Sequence, residues 1–289
     1  MNDLIFTVFP PSHKTREEVE KTLTETPTYL SLKELKNLSV PGIFWRLLSI
    51  RANRALLLIE DPRGSSLVPI LHLFASFTRS RKIERIGDLH RSYPLSRFRV
   101  ISSIFSILKA ALNGQWALRK TRAELSSLLK TDPIAPPPLS SQKVLYLKTH
   151  LWGGVKAGGS LAHTAGLINA LIDLERNVTF VSTDEPILLA DTVKNHPLSP
   201  LTSYGIPGDI NLYRYHHETL LQLSPSDQFS DHDLIYQRHG LGNYVGVTLS
   251  RALKIPLILE YNGSEVWCAR NWGKPPRYET IAKQAEAVC

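Results

Sequence analysis

Residues 144–171 limit what this chain can fold into more than any other stretch. An apolar run, Val144-Leu145-Tyr146-Leu147, stops at a loop holding Gly153, Gly154, Gly158 and Gly159, and beyond it Leu161, Ala165, Ile168, Leu171 and Ile172 recur at helical spacing. That order is strand, glycine loop, helix. The first N–H groups of such a helix lack partners inside it, and glycines let a backbone come close, so an anionic group, most simply a phosphate, fits there. A glycine turn that holds no ligand is the plainer reading of the same residues.

Two known phosphate loops can be tested against it. A P-loop needs a Gly-Lys-Ser/Thr ending; Gly153 and Gly158 give the spacing and Ser160 the hydroxyl, but Gly159 stands where the lysine is required, which argues against an NTPase. The dinucleotide pattern Gly-x-Gly-x-x-Gly is not matched, and Asp184 and Glu185 are weak ribose candidates, so a dehydrogenase is the weakest enzyme reading.

Strands and helices alternate on either side of this unit. The pattern predicts strands over 177–183, 211–215, 233–236 and 256–261, with helices over 187–194, 243–253 and 277–288. Such alternation implies a Rossmann-like, doubly wound parallel sheet of the α/β class, with ligands beyond the carboxyl ends of the strands. Pro136-Pro137-Pro138 cannot continue a helix, so a boundary is expected near residue 139. Ahead of it, residues 1–139 read as a smaller, mainly helical α/β extension of unassigned role. Its expected elements are a short helix over 15–23, a buried strand over 55–61, a helix over 67–79, a strand over 82–86 and a long helix over 96–129 interrupted near Asn113-Gly114. The apolar stripe of that long helix is Ile101, Ile104, Phe105, Leu108 and Leu112, then Leu118, Leu125 and Leu128; a buried helix is expected, with an interfacial position for residues 100–112 as the other reading.

Charge narrows the partners. The 289 residues carry a net charge of +8, and between residues 79 and 130 twelve Lys and Arg face only Glu84, Asp88 and Glu124. Anionic lipid head groups or phosphorylated ligands suit such a surface, a plain solvated basic face is the other reading, and no motif points to nucleic acid. Cys268 and Cys289 are too few for a disulfide framework, so a reducing, cytoplasmic setting is expected. Residues 1–11 lack the basic flank and apolar core of a signal peptide, and no run reaches the ~18 apolar residues of a membrane span.

The strand-end rule gathers residues 152–160, 237–242 and 262–265 on one edge, with Lys156 and Arg238 as cations and Glu265 as an acid. Each has a bland reading: Arg238 pairs with Asp233 or a neighbouring carboxylate, Asn262-Gly263 is a turn, and His239 is a surface histidine. His216, His217 and Glu218 invite a metal. Neighbours on a strand point to opposite faces, however, so a structural role is expected for them. Neither H-E-x-x-H nor Gly-x-Ser-x-Gly occurs, which argues against a zincin or an ordinary serine hydrolase.

The glycine loop through Ser160, the segment Asp233-Leu234-Ile235-Tyr236-Gln237-Arg238-His239, and above all Pro256-Leu257-Ile258-Leu259-Glu260-Tyr261-Asn262-Gly263-Ser264-Glu265 resemble the N-terminal, acceptor-side half of family 4 (group 1) glycosyltransferases of the GT-B fold. The likeness covers residues 142–289. It implies retaining transfer from a nucleotide-sugar to a glycan or lipid-linked acceptor, with no metal or other cofactor. By the likeness Gly158, Gly159 and Lys156 approach the donor diphosphate. Arg238 and Glu265 are the catalytic candidates, Asn262 and Glu265 line the acceptor side, and His239 is a further substrate-binding candidate. GT-B enzymes carry a second, donor-binding domain. Because the sequence stops at Cys289, just after the helix that would close the first, a fragment, a truncated frame or a separate donor-domain subunit is expected. The membrane's inner face is the expected place of work. A non-catalytic module that binds a phosphoryl ligand at a membrane surface is the rival expectation.

Overall fold

The computed structural model describes residues 2–35, 38–86, 92–131, 142–151, 159–223 and 229–289. The chain divides into two compact units: residues 1–111 with 202–206, and residues 112–201 with 207–289. Among the described residues each unit carries one five-stranded sheet.

In the first unit the elements are β1 (Leu4–Thr7), α1 (His13–Glu20), β2 (Thr28–Ser31), α2 (Leu32–Leu35), α3 (Val40–Ser49), β3 (Arg54–Leu58), α4 (Val68–Phe77), β4 (Lys82–Ile86) and β5 (Ser92–Leu95). The strand order is β2-β1-β3-β4-β5, parallel except for the antiparallel edge strand β5. Side chains alternate across a strand, and here both faces are covered. Leu4, Phe6, Ala55 and Leu57 pack with Leu47 of α3 and with Leu71 and Ala75 of α4, whereas Ile5, Leu56 and Leu58 pack with Val19 of α1. Two of the strands, β1 and β2, lie where the sequence shows no period, because four residues are too few to display one.

The helix α5 (Val100–Leu128) is continuous through Asn113 and Gly114, where the sequence suggested a break. A Cβ at Gly114 would collide with Ile210, so this glycine serves close packing inside the helix. Only the second half of the expected stripe is buried: Leu118 and Leu125 are, whereas Ile101, Phe105, Leu108 and Leu112 are 56–71% exposed. Up to residue 111 the inward residues are Ser103, Ile107 and Ala110, and from residue 112 they are Ala117, Leu118, Thr121 and Leu125. Small side chains let the helix approach its neighbours, and that decides which face turns in.

The second unit continues with β6 (Lys143–Lys148), α6 (Gly159–Asp173), β7 (Asn177–Ser182), β8 (Lys194–Pro197), α7 (Ile210–Leu223), β9 (Leu234–Arg238), α8 (Val245–Leu253), β10 (Leu257–Glu260), α9 (Glu265–Trp272) and α10 (Glu279–Ala287). Its sheet is parallel throughout, in the order β10-β9-β6-β7-β8. Counted within the unit this is the Rossmann-like order, its first strand in the middle and the direction of winding reversing between β6 and β9. Leu145 and Leu147 pack with Ile235 and Val181 on one face; Val144 and Tyr146 pack with Ile168 and Phe180 on the other. The unit boundary falls at residue 111 rather than near 139, because Ala117, Leu118 and Leu125 bury against Tyr213, Tyr244 and Ile281. The proline run lies outside the described residues.

Two predicted elements change type. Residues 211–215 belong to the helix α7 and not to a strand. Ile210, Tyr213, Arg214 and His217 follow helical spacing, but Asn211, Tyr215, His216 and Thr219 are buried as well, so no polar face marks the period. Residues 187–193 form turns rather than the expected helix, and the third parallel strand, β8, begins only at Lys194 as a short edge strand of sequence Lys-Asn-His-Pro. Proline is admissible there because an edge leaves its missing N–H unneeded.

Candidate functional site

The carboxyl ends of β6, β9 and β10 are adjacent by register, and period-2 alternation selects which side chains meet there. Tyr236 and Arg238 point to one face of β9; Tyr146 lies beside Tyr236, and Glu260 beside Arg238. The two tyrosine rings stack with centroids 5.1 Å apart.

Glu260 is the hub. Its side chain is 8% exposed, and Oε1 lies 2.7 Å from Nη1 of Arg238, 3.2 Å from Nε2 of His163 and 2.8 Å from Nδ2 of Asn262. The hydroxyls of Tyr146 and Tyr236 both approach Oε2 at 3.4 Å. Burial pushes both phenols above the ordinary tyrosine range, so they remain donors at neutral pH. A carboxylate so placed has to be paired, and Arg238 does that. His163 comes from the second turn of α6 and Asn262 from the loop after β10, so helix, loop and three strands converge on one carboxylate.

The loop after β9 is fixed from beneath. His150 Nε2 donates to the carbonyl of His239 at 3.1 Å, and a Cβ on Gly240 would strike the His150 ring. Nδ2 of Asn243 donates to Oγ1 of Thr149 at 2.9 Å, and Gln237 Oε1 accepts from the N–H of Gly246, tying down the start of α8. Lys148, at the end of β6, is nearly enclosed and pairs with Asp184 at 2.7 Å. Asp184, the weak ribose candidate, is therefore committed to a lysine.

The residues singled out by sequence fall as follows. Arg238 and Asn262 meet at Glu260, so for Arg238 the neighbouring-carboxylate reading holds, and Asp233 instead accepts from the N–H of Lys143 at 3.0 Å. His239 is not a surface histidine: it is 5% exposed, its ring tilts against Tyr261 at 5.4 Å, and burial lowers its pKa. Glu265 is half-buried as the first residue of α9, and burial, reinforced by the Glu286 carboxylate, raises its pKa. Gly159 opens α6, and a Cβ there would meet nothing within 4 Å among the described residues. Lys156 and Gly158 lie outside the described residues. Glu260, Tyr146, Tyr236 and His163 were missed. The available signal was an acid closing an apolar strand, Leu257-Ile258-Leu259-Glu260, beside a strand closing on arginine.

No protein-family model matches the chain, and no curated protein matches it. Among solved structures, D-2-hydroxyisocaproate dehydrogenase is similar with 11% identity and a TM-score of 0.19, over 84% of this chain and 64% of that one. The chain thus spans under two thirds of that enzyme's length, and a superposition so loose carries no argument.

Proposed function

We propose that the second unit binds a sugar at the carboxyl edge of its sheet. In this reading it is the acceptor-side half of a retaining, nucleotide-sugar-dependent glycosyltransferase acting on a glycan or lipid-linked acceptor. The observation that carries the reading is the convergence of Arg238, His163, Asn262, Tyr146 and Tyr236 on Glu260 at the place where the strand order reverses. A carboxylate, an amide and phenols held in fixed directions are the groups that exchange hydrogen bonds with sugar hydroxyls, and the Arg238–Glu260 pair leaves little net charge to favour a bare anion. Arg238 is then a positioning residue that holds the Glu260 side chain in place. Glu265, half-buried at the start of α9 with its pKa raised by burial, is the second acid of this reading. Backbone N–H groups at the start of α6 would steady the leaving diphosphate, with Lys156 contributing charge.

Calorimetric titration of the full chain with mono- and oligosaccharides and nucleotide-sugars tests this. Saturable binding that weakens about tenfold or more in Glu260→Gln, the loss expected for a hydrogen bond to a charged group, supports the reading. Binding indifferent to that substitution, or none across the series, removes it.

A second reading, attachment to an anionic membrane surface, is favoured by the first part of α5. Phe98 just before the helix and Ile101, Phe105 and Leu108 on it form a helically spaced row, 86%, 70%, 69% and 56% exposed, with Arg99 and Lys109 among them. Among the described residues no helix is long and apolar enough to cross a membrane. Co-sedimentation with vesicles containing phosphatidylserine, lost in Phe105→Glu and falling steeply with salt, would support attachment; equal binding to neutral vesicles would exclude the electrostatic part.

A further inference from the structure

Because residues 210–223 are helical, His216 and His217 are not held to opposite faces as neighbours on a strand would be. On α7, His216 and His217 are both buried, 3% and 4% exposed, and Glu124 of α5, also in the second unit, comes up beside them. One ligand atom from each of the three lies within 4.8 Å of the others. We propose that His216, His217 and Glu124 bind one divalent transition-metal ion of the zinc type, clipping the second half of α5 to α7.

The hydrogen-bond pattern of His217 supports this. Its Nε2 lies 3.3 Å from the carbonyl oxygen of Ala117 and 3.0 Å from Oγ1 of Thr121. A carbonyl oxygen only accepts, so Nε2 carries the ring hydrogen and Nδ1 keeps its lone pair. That Nδ1 is buried without a hydrogen-bond partner and lies 3.9 Å from Oε2 of Glu124. An imidazole whose outer nitrogen donates to a backbone carbonyl while the inner one is free is the arrangement that orients a metal-binding histidine.

His216 supplies the second, independent observation. Its ring stacks on Tyr244 at 3.8 Å and meets His217 edge-on at 5.2 Å, and neither of its nitrogens has a partner among the described residues. Leaving a buried polar nitrogen unmatched costs about 1–3 kcal/mol. A coordinated cation would satisfy one such nitrogen on each ring.

Glu124 completes the set. The Tyr244 hydroxyl donates to its Oε2 at 2.7 Å, while Lys120 stands 3.8 Å from Oε1 as the local cation an incoming ion would displace. Zinc–nitrogen bonds of about 2.0–2.1 Å place tetrahedral ligand atoms about 3.4 Å apart, so the carboxylate, which is one-third exposed, has to close in. Two imidazoles and a carboxylate suit zinc, cobalt or nickel over magnesium or calcium, and a fourth position is left for water.

The test uses the tag-free full chain, stripped with chelator, then titrated with Co2+ and back-titrated with Zn2+. One equivalent of Co2+ with visible d–d absorption, displaced by one Zn2+, is expected, together with about a 10- to 100-fold loss of affinity in Glu124→Gln and a smaller loss in Tyr244→Phe. Circular dichroism of Glu124→Gln checks that this variant folds. No bound equivalent in the wild-type chain, or affinity unchanged in both variants, overturns the proposal. It stands or falls separately from sugar binding.

Discussion

Replacing Arg238 with alanine strands Glu260. The carboxylate is 8% exposed, and Arg238 is the nearest of its partners at 2.7 Å. Removing one member of a buried pair costs about 3–5 kcal/mol; with Asn262 still donating and the guanidinium itself 18% exposed, about 2–3 kcal/mol is expected here. The reverse change, Glu260→Gln, leaves an arginine that can turn to water, so it should cost about 1 kcal/mol, and the double variant should show about 1–2 kcal/mol of coupling. Urea unfolding at pH 7, with hydrogen exchange at the β9 and β10 amides, reads the effect. A deficit below about 0.5 kcal/mol, within the range of an inert surface change, refutes the reasoning.

Glu265→Gln should raise the urea midpoint at pH 7, since burial raises that carboxyl's pKa and ionising it opposes folding; the gain should vanish near the unfolded-state value of about 4.3, and an equal gain at both pH values would count against it. Gly240→Ala drives a methyl into the His150 ring and should cost about 1–3 kcal/mol by thermal or urea unfolding, whereas a neutral result would mean that the loop after β9 is looser than described. In the first unit, Asp3 takes Nε and Nη2 of Arg54 at 3.1 and 2.5 Å, so Asp3→Asn should cost that unit about 1.5–3 kcal/mol, measured by exchange at the β1 and β3 amides.

Where the chain obeys a single period, its sequence is legible. Val144-Leu145-Tyr146-Leu147 and Pro256-Leu257-Ile258-Leu259 read as strands because a two-sided parallel sheet asks for uninterrupted apolar residues, and the rule of strand ends then led to Arg238 and Asn262. Legibility fails where burial is polar. In α7, buried Asn211, Arg214, His216 and Thr219 fill the faces that would otherwise be blank, so the helix imitates an aromatic strand, and with it went the meeting of His216 with Glu124. The first part of α5 fails in the opposite sense: a regular apolar stripe points outward, because Ser103 and Ala110 allow closer approach than Phe105 does. Glu260 escaped notice for a third reason. Its role comes from the lateral register of β10 on β9, which no local window contains.

The most direct test of the central claim follows the side-chain amide of Asn262 and the backbone amides of residues 259–265 by NMR while the full chain is titrated with sugars and nucleotide-sugars. Sugar binding at the carboxyl edge predicts saturable shifts concentrated on those groups and on His163, abolished by Glu260→Gln. Shifts confined to other parts of the second unit, or a spectrum unmoved by every sugar, would contradict it.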